Sequence, residues 1–215
     1  MDPSIKKPVI ELKNISNKYG NKVVFKGFNL SIFEQDMLCI MGASGSGKST
    51  LLYIMGLLET IDSGKIYYYD NEIKYTDKIV NKILREKVGF LFQNHGLVDD
   101  RSVDYNLDLV KENSKTKHWD KEKSNVIEML GLDNSIKKEK CYKLSGGEQQ
   151  RVAMARLILK DSDIILADEP TGSLDENNRD IILETLGILN KRGRTIVIVT
   201  HDPIVASACS KKINI

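Results

Sequence analysis

The chain has 215 residues, of which 32 are basic and 30 acidic, giving a formal net charge of +2. That length suits one compact unit with a substantial core, and the near-neutral balance excludes the clustered basic footprint of a direct DNA or RNA binder. No stretch approaches the roughly 20 apolar residues of a membrane-spanning helix, and Met1 to Pro8 lack the apolar segment of a signal peptide, which predicts a soluble protein that stays in the cytoplasm.

In chain order, Val9 to Leu12 and Val23 to Ile32 alternate or run apolar on either side of Tyr19-Gly20-Asn21, as short antiparallel strands at the edge of a core do. The apolar run Met37-Leu38-Cys39-Ile40-Met41 then leads into Gly42-Ala43-Ser44-Gly45-Ser46-Gly47-Lys48-Ser49-Thr50, which matches G-x-x-x-x-G-K-S/T. Glycines there let successive backbone N–H groups point at phosphate oxygens, while the following helix, Leu51 to Met55, offers its positive N-terminal end. Lys48 is placed to reach the β- and γ-phosphates of a nucleoside triphosphate, and the Ser49 hydroxyl to ligate Mg²⁺. Lys65 to Tyr69, Asp70-Asn71 and Glu72-Ile73 read as a hairpin turning at Asp70-Asn71.

The middle of the chain differs in texture. Lys111 to Lys123 is mostly charged, with a lone Trp119, and reads as solvated surface, as does Lys137 to Lys140. Ser124 to Leu132 places Val126, Met129 and Leu130 at helical spacing, so residues near 96 to 143 read as a mainly helical insertion. Further on, Ile164 to Ala167 and Thr195 to Thr200 are continuous apolar runs, the pattern of strands buried on both faces of a parallel sheet. Between them, Glu176 to Lys191 carries Ile182, Leu186 and Leu189 on one stripe and stops at Arg192-Gly193. Three cysteines, Cys39, Cys141 and Cys209, are far apart in sequence and predict neither a disulfide nor a metal site. His95 and His118 have no context that gives them a role.

Four companions of the phosphate loop follow in order. Leu144-Ser145-Gly146-Gly147-Glu148 opens a helix continuing Gln149-Gln150-Arg151; Asp168-Glu169 ends a buried strand; Ser173-Leu174-Asp175 follows; and His201 ends the next strand. At these residues, from about Tyr19 to His201, the chain resembles the nucleotide-binding subunit of ATP-binding cassette transporters, whose signature is Leu-Ser-Gly-Gly-Glu-Gln-Gln-Arg. The resemblance implies an α/β fold with a RecA-like P-loop NTPase core around a mixed or parallel sheet, an N-terminal antiparallel β subdomain and an inserted helical subdomain. One cassette domain would span 1–215, with the helical subdomain from about 96 to between 143 and 160. Chemically, Asp168 at its strand end suits Mg²⁺-bound waters, and Glu169 suits polarisation of the water that attacks the γ-phosphate.

The resemblance also implies that Tyr19 stacks on adenine, that Gln93 touches Mg²⁺ and water and couples to a transmembrane permease, and that His201 senses the γ-phosphate. Residues Ser145, Gly146 and Gly147 form a second anion-binding nest at a helix start, too far from the phosphate loop of one chain to share its γ-phosphate. In the family, two subunits pack head to tail with ATP and each signature, Leu144 to Glu148 here, closes over the partner's nucleotide. Asp175 resembles the acidic residue that crosses this interface. The protein would sit peripherally at the membrane through its permease.

Gly89-Phe90-Leu91-Phe92-Gln93 and Asp168 to Asp175 are similar to the macrolide-exporter, lipoprotein-release and cell-division branch, and Gln93 to Asp100, Asn106 to Leu109 and Leu157 to Lys160 to its bacteriocin-export subgroup. One departure is Val98-Asp99-Asp100-Arg101, where many relatives have a proline and an apolar pair; this predicts a basic or polar surface on the permease segment that meets it. The competing readings are a non-transport cassette ATPase acting on a macromolecular complex, a regulatory module without catalysis, and an importer subunit.

Overall fold

A computed structural model of the protein describes residues 8–114, 116–172 and 174–215. The N-terminal heptad, Lys115 and Ser173, all read above, lie outside the described residues. Strands β1 (Pro8–Tyr19) and β2 (Lys22–Phe33) pair antiparallel, with register shifts that bend two long strands around the core beneath them. After β3 (Met37–Met41) and α1 (Lys48–Met55), strands β4 (Ser63–Tyr68) and β5 (Asn71–Glu72) extend this sheet in the order β2-β1-β4-β5. The hairpin turns at Tyr69-Asp70, both at positive φ, one residue earlier than the sequence pattern suggests. That register buries Tyr68, whose hydroxyl donates to the Met55 carbonyl.

The second sheet is wholly parallel. Helix α2 (Asp77–Glu86) precedes β6 (Val88–Leu91), and β7 (Ile164–Asp168), β8 (Thr195–Val199) and β9 (Lys211–Asn214) complete the order β6-β7-β8-β3-β9. Its strands are apolar throughout, yet their alternation survives in which core each residue joins. Cys39, Ile165, Ala167, Ile196 and Ile198 pack toward helices α5 (Gly146–Lys160) and α6 (Glu176–Lys191). Leu38, Ile40, Ile164, Leu166, Val197 and Val199 pack toward α1 and the antiparallel sheet. The phosphate loop therefore leaves β3 from a strand fixed on both faces.

Residues 103–143 carry α3 (Val103–Asp108), α4 (Trp119–Met129) and short 3₁₀ turns at Lys111–Asn113, Asn134–Lys138 and Cys141–Lys143. The solvated reading of Lys111 to Lys123 fails at its end. Trp119 is buried, donating its indole N–H to Asp108 at 2.6 Å, and the Lys123 side chain is 2% exposed, paired with Asp104 and, at 2.8 Å, Asp108. Burial opposes the ammonium charge, but the two carboxylates outweigh it and hold Lys123 above its ordinary pKa. The buried stripe of α4 accordingly runs Trp119, Lys123, Val126, Ile127 and Leu130, and Met129, expected on it, is half exposed. The last described helix is α7 (Pro203–Ser207), and no described helix is long and apolar enough to cross a membrane. All three cysteines are free and buried.

Candidate phosphate-binding site

Helix α1 starts where the phosphate loop ends. Gly45 and Gly47 have φ of 77° and 99°, conformations that a Cβ disfavours, and the Gly47 carbonyl accepts from Leu51 N–H at 2.8 Å to open the helix. The Lys48 ammonium lies across the loop, donating to the carbonyls of Gly42 at 3.0 Å and Ala43 at 2.9 Å. Ser46 turns its hydroxyl inward, where it is buried without a partner.

Strand β8 separates β3 from β7, and Asp168 at the acidic strand end meets the loop through α1. Ser49 and Tyr53, one helical turn apart, both donate to Asp168, at 2.9 Å to one carboxylate oxygen and 2.7 Å to the other. Burial and then the bond to Asp168 push the Tyr53 phenol up to about 12, so it stays a donor at neutral pH. Asp168 is 2% exposed and places a carboxylate directly against the Ser49 hydroxyl. Two hard oxygen groups side by side suit Mg²⁺, which also takes water and phosphate oxygens.

Glu169 leaves the strand at φ 44°, a left-handed conformation costing about 1–3 kcal/mol in a residue with a Cβ. Its N–H still donates to the Val199 carbonyl, while its carboxylate accepts from Thr200 Oγ1 at 2.9 Å and meets His201 Nδ1 at 2.7 Å. Thr200 is fully buried, whereas the His201 side chain is 77% exposed. The same turn meets the signature helix, because Gln150 donates to the Pro170 carbonyl at 2.6 Å.

A cleft of about 730 Å³ gathers Tyr19, the phosphate loop from Gly42 to Thr50 except Ser46, Gln93, Glu169 and His201. Lys22 and Val24, absent from the sequence reading, join its wall, and Lys22 Nζ donates to the Gly45 carbonyl at 3.3 Å. Leu144 to Glu148 and Asp175 do not line it. Ser145 instead caps α5 in a reciprocal box, accepting from Glu148 N–H at 3.3 Å while its own N–H donates to the Glu148 carboxylate at 2.8 Å. Asp175 caps α6 by accepting from Asn178 N–H, and the Asn178 amide lies so close to Gly147 that a Cβ there would fall 2.6 Å from it. Gly147 and Asp175 are thus neighbours of one another through Asn178.

A phosphate loop leaving an inner strand, β3, of a five-stranded parallel sheet, with the acidic strand β7 separated from it by β8, defines a P-loop NTPase of the RecA-like kind. Within that class, the family model described as ABC transporter matches residues 25–172. The chain belongs to the ABC transporter family. It is 41% identical to the macrolide export ATP-binding/permease protein of Escherichia coli over 93% of its length, spanning about a third of that relative (32%). It is 37% identical to the lipoprotein-releasing system ATP-binding protein of Aquifex aeolicus, covering 90% of this chain and 88% of the relative. The dimeric structure of MJ0796, a bacterial ABC transporter cassette, superposes with a TM-score of 0.88 at 36% identity, over 96% of this chain and 94% of that one. A post-hydrolysis state of the same cassette, bound to ADP and Pi, matches with the same TM-score at 35% identity and the same coverage.

Proposed function

We propose that the chain is the ATP-hydrolysing motor of an exporter or lipoprotein-release system, acting on a membrane permease. Residues 1–215 would be one cassette domain with the helical segment inserted. The observation that carries this reading is the convergence of Lys48, Ser49, Glu169 and His201 on one cleft, with the buried Asp168 bonded behind Ser49 and the buried Thr200 behind Glu169. Tyr19 stacks on adenine and Lys48 meets the terminal phosphates. Ser49, with Asp168 and Gln93 partly through water, would hold Mg²⁺, which neutralises phosphate charge when bound. Glu169 takes a proton from the attacking water, and His201 contacts the γ-phosphate. Ser145 to Gly147, outside their own chain's cleft, act on a second copy's nucleotide in a head-to-tail dimer that Asp175 helps to close.

The reading predicts Mg²⁺-dependent phosphate release by the purified protein and ATP-dependent dimers, both measurable in solution. It further predicts recovery of a permease when the tagged protein is captured with MgATP from solubilised native membranes. Ribosomes or DNA-bound factors in place of a permease would overturn the transport part and leave the ATPase part standing. The names of the relatives favour export over import, and a drug or a lipoprotein-like molecule as cargo; a bacteriocin-like peptide rests on the sequence resemblance alone.

Asp99 and Asp100 are exposed on a segment whose backbone is held by Tyr142 N–H to the Asp99 carbonyl and Cys141 N–H to the Arg101 carbonyl. Reversing both charges is expected to reduce permease recovery while ATP affinity stays at the wild-type value. Unchanged recovery would remove this segment from the interface.

A further inference from the structure

Beside the Gln93 loop runs a trough whose charges are unbalanced. Helix α5 puts Arg156 and Lys160 one turn apart on one face, and both line a hollow of about 230 Å³ walled by Phe90, Phe92, Val110 and Leu157. Phe90 and Phe92 stack with centroids 5.0 Å apart and planes within 3°. Lys160 is occupied, donating at 2.6 Å to both the Leu84 and Val88 carbonyls and so capping the end of α2. Arg156 is not. Of its five N–H donors, the described hydrogen bonds account for one, from Nη2 to the His95 carbonyl at 3.4 Å. Among the described residues neither cation has an acidic partner, and both are partly buried. Burial, and then the charge of Arg156, push the Lys160 amine down to about 8.

A second hollow, of about 690 Å³, adjoins the first at Phe92 and is lined by Tyr53, Gln93, Asn94 and Gly96. Gln93 also lines the phosphate cleft. A segment lying in the two hollows would therefore touch the loop that borders the nucleotide.

We propose that Arg156 is the anchor for a carboxylate carried on an apolar segment of the permease. This rests on the reading of the chain as a permease-driving motor. The apolar walls favour apolar side chains over a free phosphate, the near-neutral charge of the chain disfavours a nucleic acid, and the remaining donors of Arg156 fit the two oxygens of one carboxylate. Placing that acid there satisfies the guanidinium and relieves its repulsion with Lys160. With Asp99 and Asp100 calling for basic groups elsewhere on the same segment, the opposed charges fix the direction in which it lies.

The test uses the detergent-solubilised complex of tagged protein and co-purified permease, carrying Arg156→Lys and treated with a zero-length carbodiimide, which joins an amine to a carboxylate in contact with it. Mass spectrometry is expected to find the introduced amine joined to one Asp or Glu of the permease, with no such link in wild type. Arg156→Glu should cut permease recovery at least tenfold at unchanged ATP affinity and melting temperature, and changing the linked acid to Arg should restore it. Should Arg156→Glu fail to fold, Arg156→Gln replaces it in the recovery comparison. Wild-type recovery with Arg156→Glu or Arg156→Gln, or no permease link in Arg156→Lys, overturns the anchor alone. Absence of any permease from the wild-type capture overturns the motor reading and the anchor with it.

Discussion

Glu169→Gln is expected to lower steady-state ATP turnover by about two to four orders of magnitude, the usual worth of a positioned general base. In barrier terms this is about 2.7–5.5 kcal/mol. The geometry makes the substitution a narrow one. The carboxylate is held between Thr200 Oγ1, which can accept as well as donate, and the imidazole of His201, whose tautomer can adjust. An amide fits between the same two neighbours, and the left-handed backbone at position 169 is unchanged. What is lost is the ability to take a proton. Asp168, bonded to Ser49 and Tyr53, keeps its place, so nucleotide affinity should hold. Because the proposed dimer is closed by ATP and opened by its hydrolysis, the variant should elute as a dimer with MgATP where wild type reverts to monomer. Phosphate release and light scattering on one preparation check both halves. Wild-type turnover would take the base role away from Glu169; slow turnover without a persistent dimer would separate catalysis from opening.

The parts of this site visible in the sequence are those whose members are neighbours along the chain. The phosphate loop needs glycine where φ is positive, and the strands before it and before Asp168 are apolar because both faces are covered. What stayed hidden depends on pairs distant in sequence. Tyr53 reads as one more apolar helix residue until Asp168, 115 positions later, is found against its hydroxyl. Thr200 reads as the end of a strand until Glu169 turns back toward it. In α4 the error has one root. A lysine inside an apolar stripe looks like surface, and only the carboxylates of Asp104 and Asp108, supplied by α3, let Lys123 be buried. Once Lys123 is assigned outward, the stripe is phased wrongly and Met129 is placed where Ile127 belongs. Helix α2 went unread for the opposite reason, since it contributes no fully buried residue.

Lys48→Ala should weaken ATP binding by about two orders of magnitude, or about 2.7 kcal/mol, in the range of one or two charge-assisted hydrogen bonds. The lysine has two possible jobs. Its ammonium bonds the Gly42 and Ala43 carbonyls, which could make it a strut for the loop, and it is also a cation directed across the loop where the terminal phosphates would lie. The two roles separate by ligand length. If Lys48 meets the β- and γ-phosphates, ATP affinity falls most, ADP less, and AMP, held through the ring and the first phosphate, hardly at all. If it mainly braces the loop, all three fall together and the melting temperature drops by several degrees. The first outcome is expected, because the loop carries its own support in the Ser46 N–H bond to Ala43 and the Leu51 N–H bond to Gly47. The carbonyls released by the substitution line an open cleft, where water can replace the ammonium. Titration of the three nucleotides against wild type and variant, with a thermal melt of each, decides between strut and phosphate ligand; unchanged ATP affinity would exclude the phosphate role.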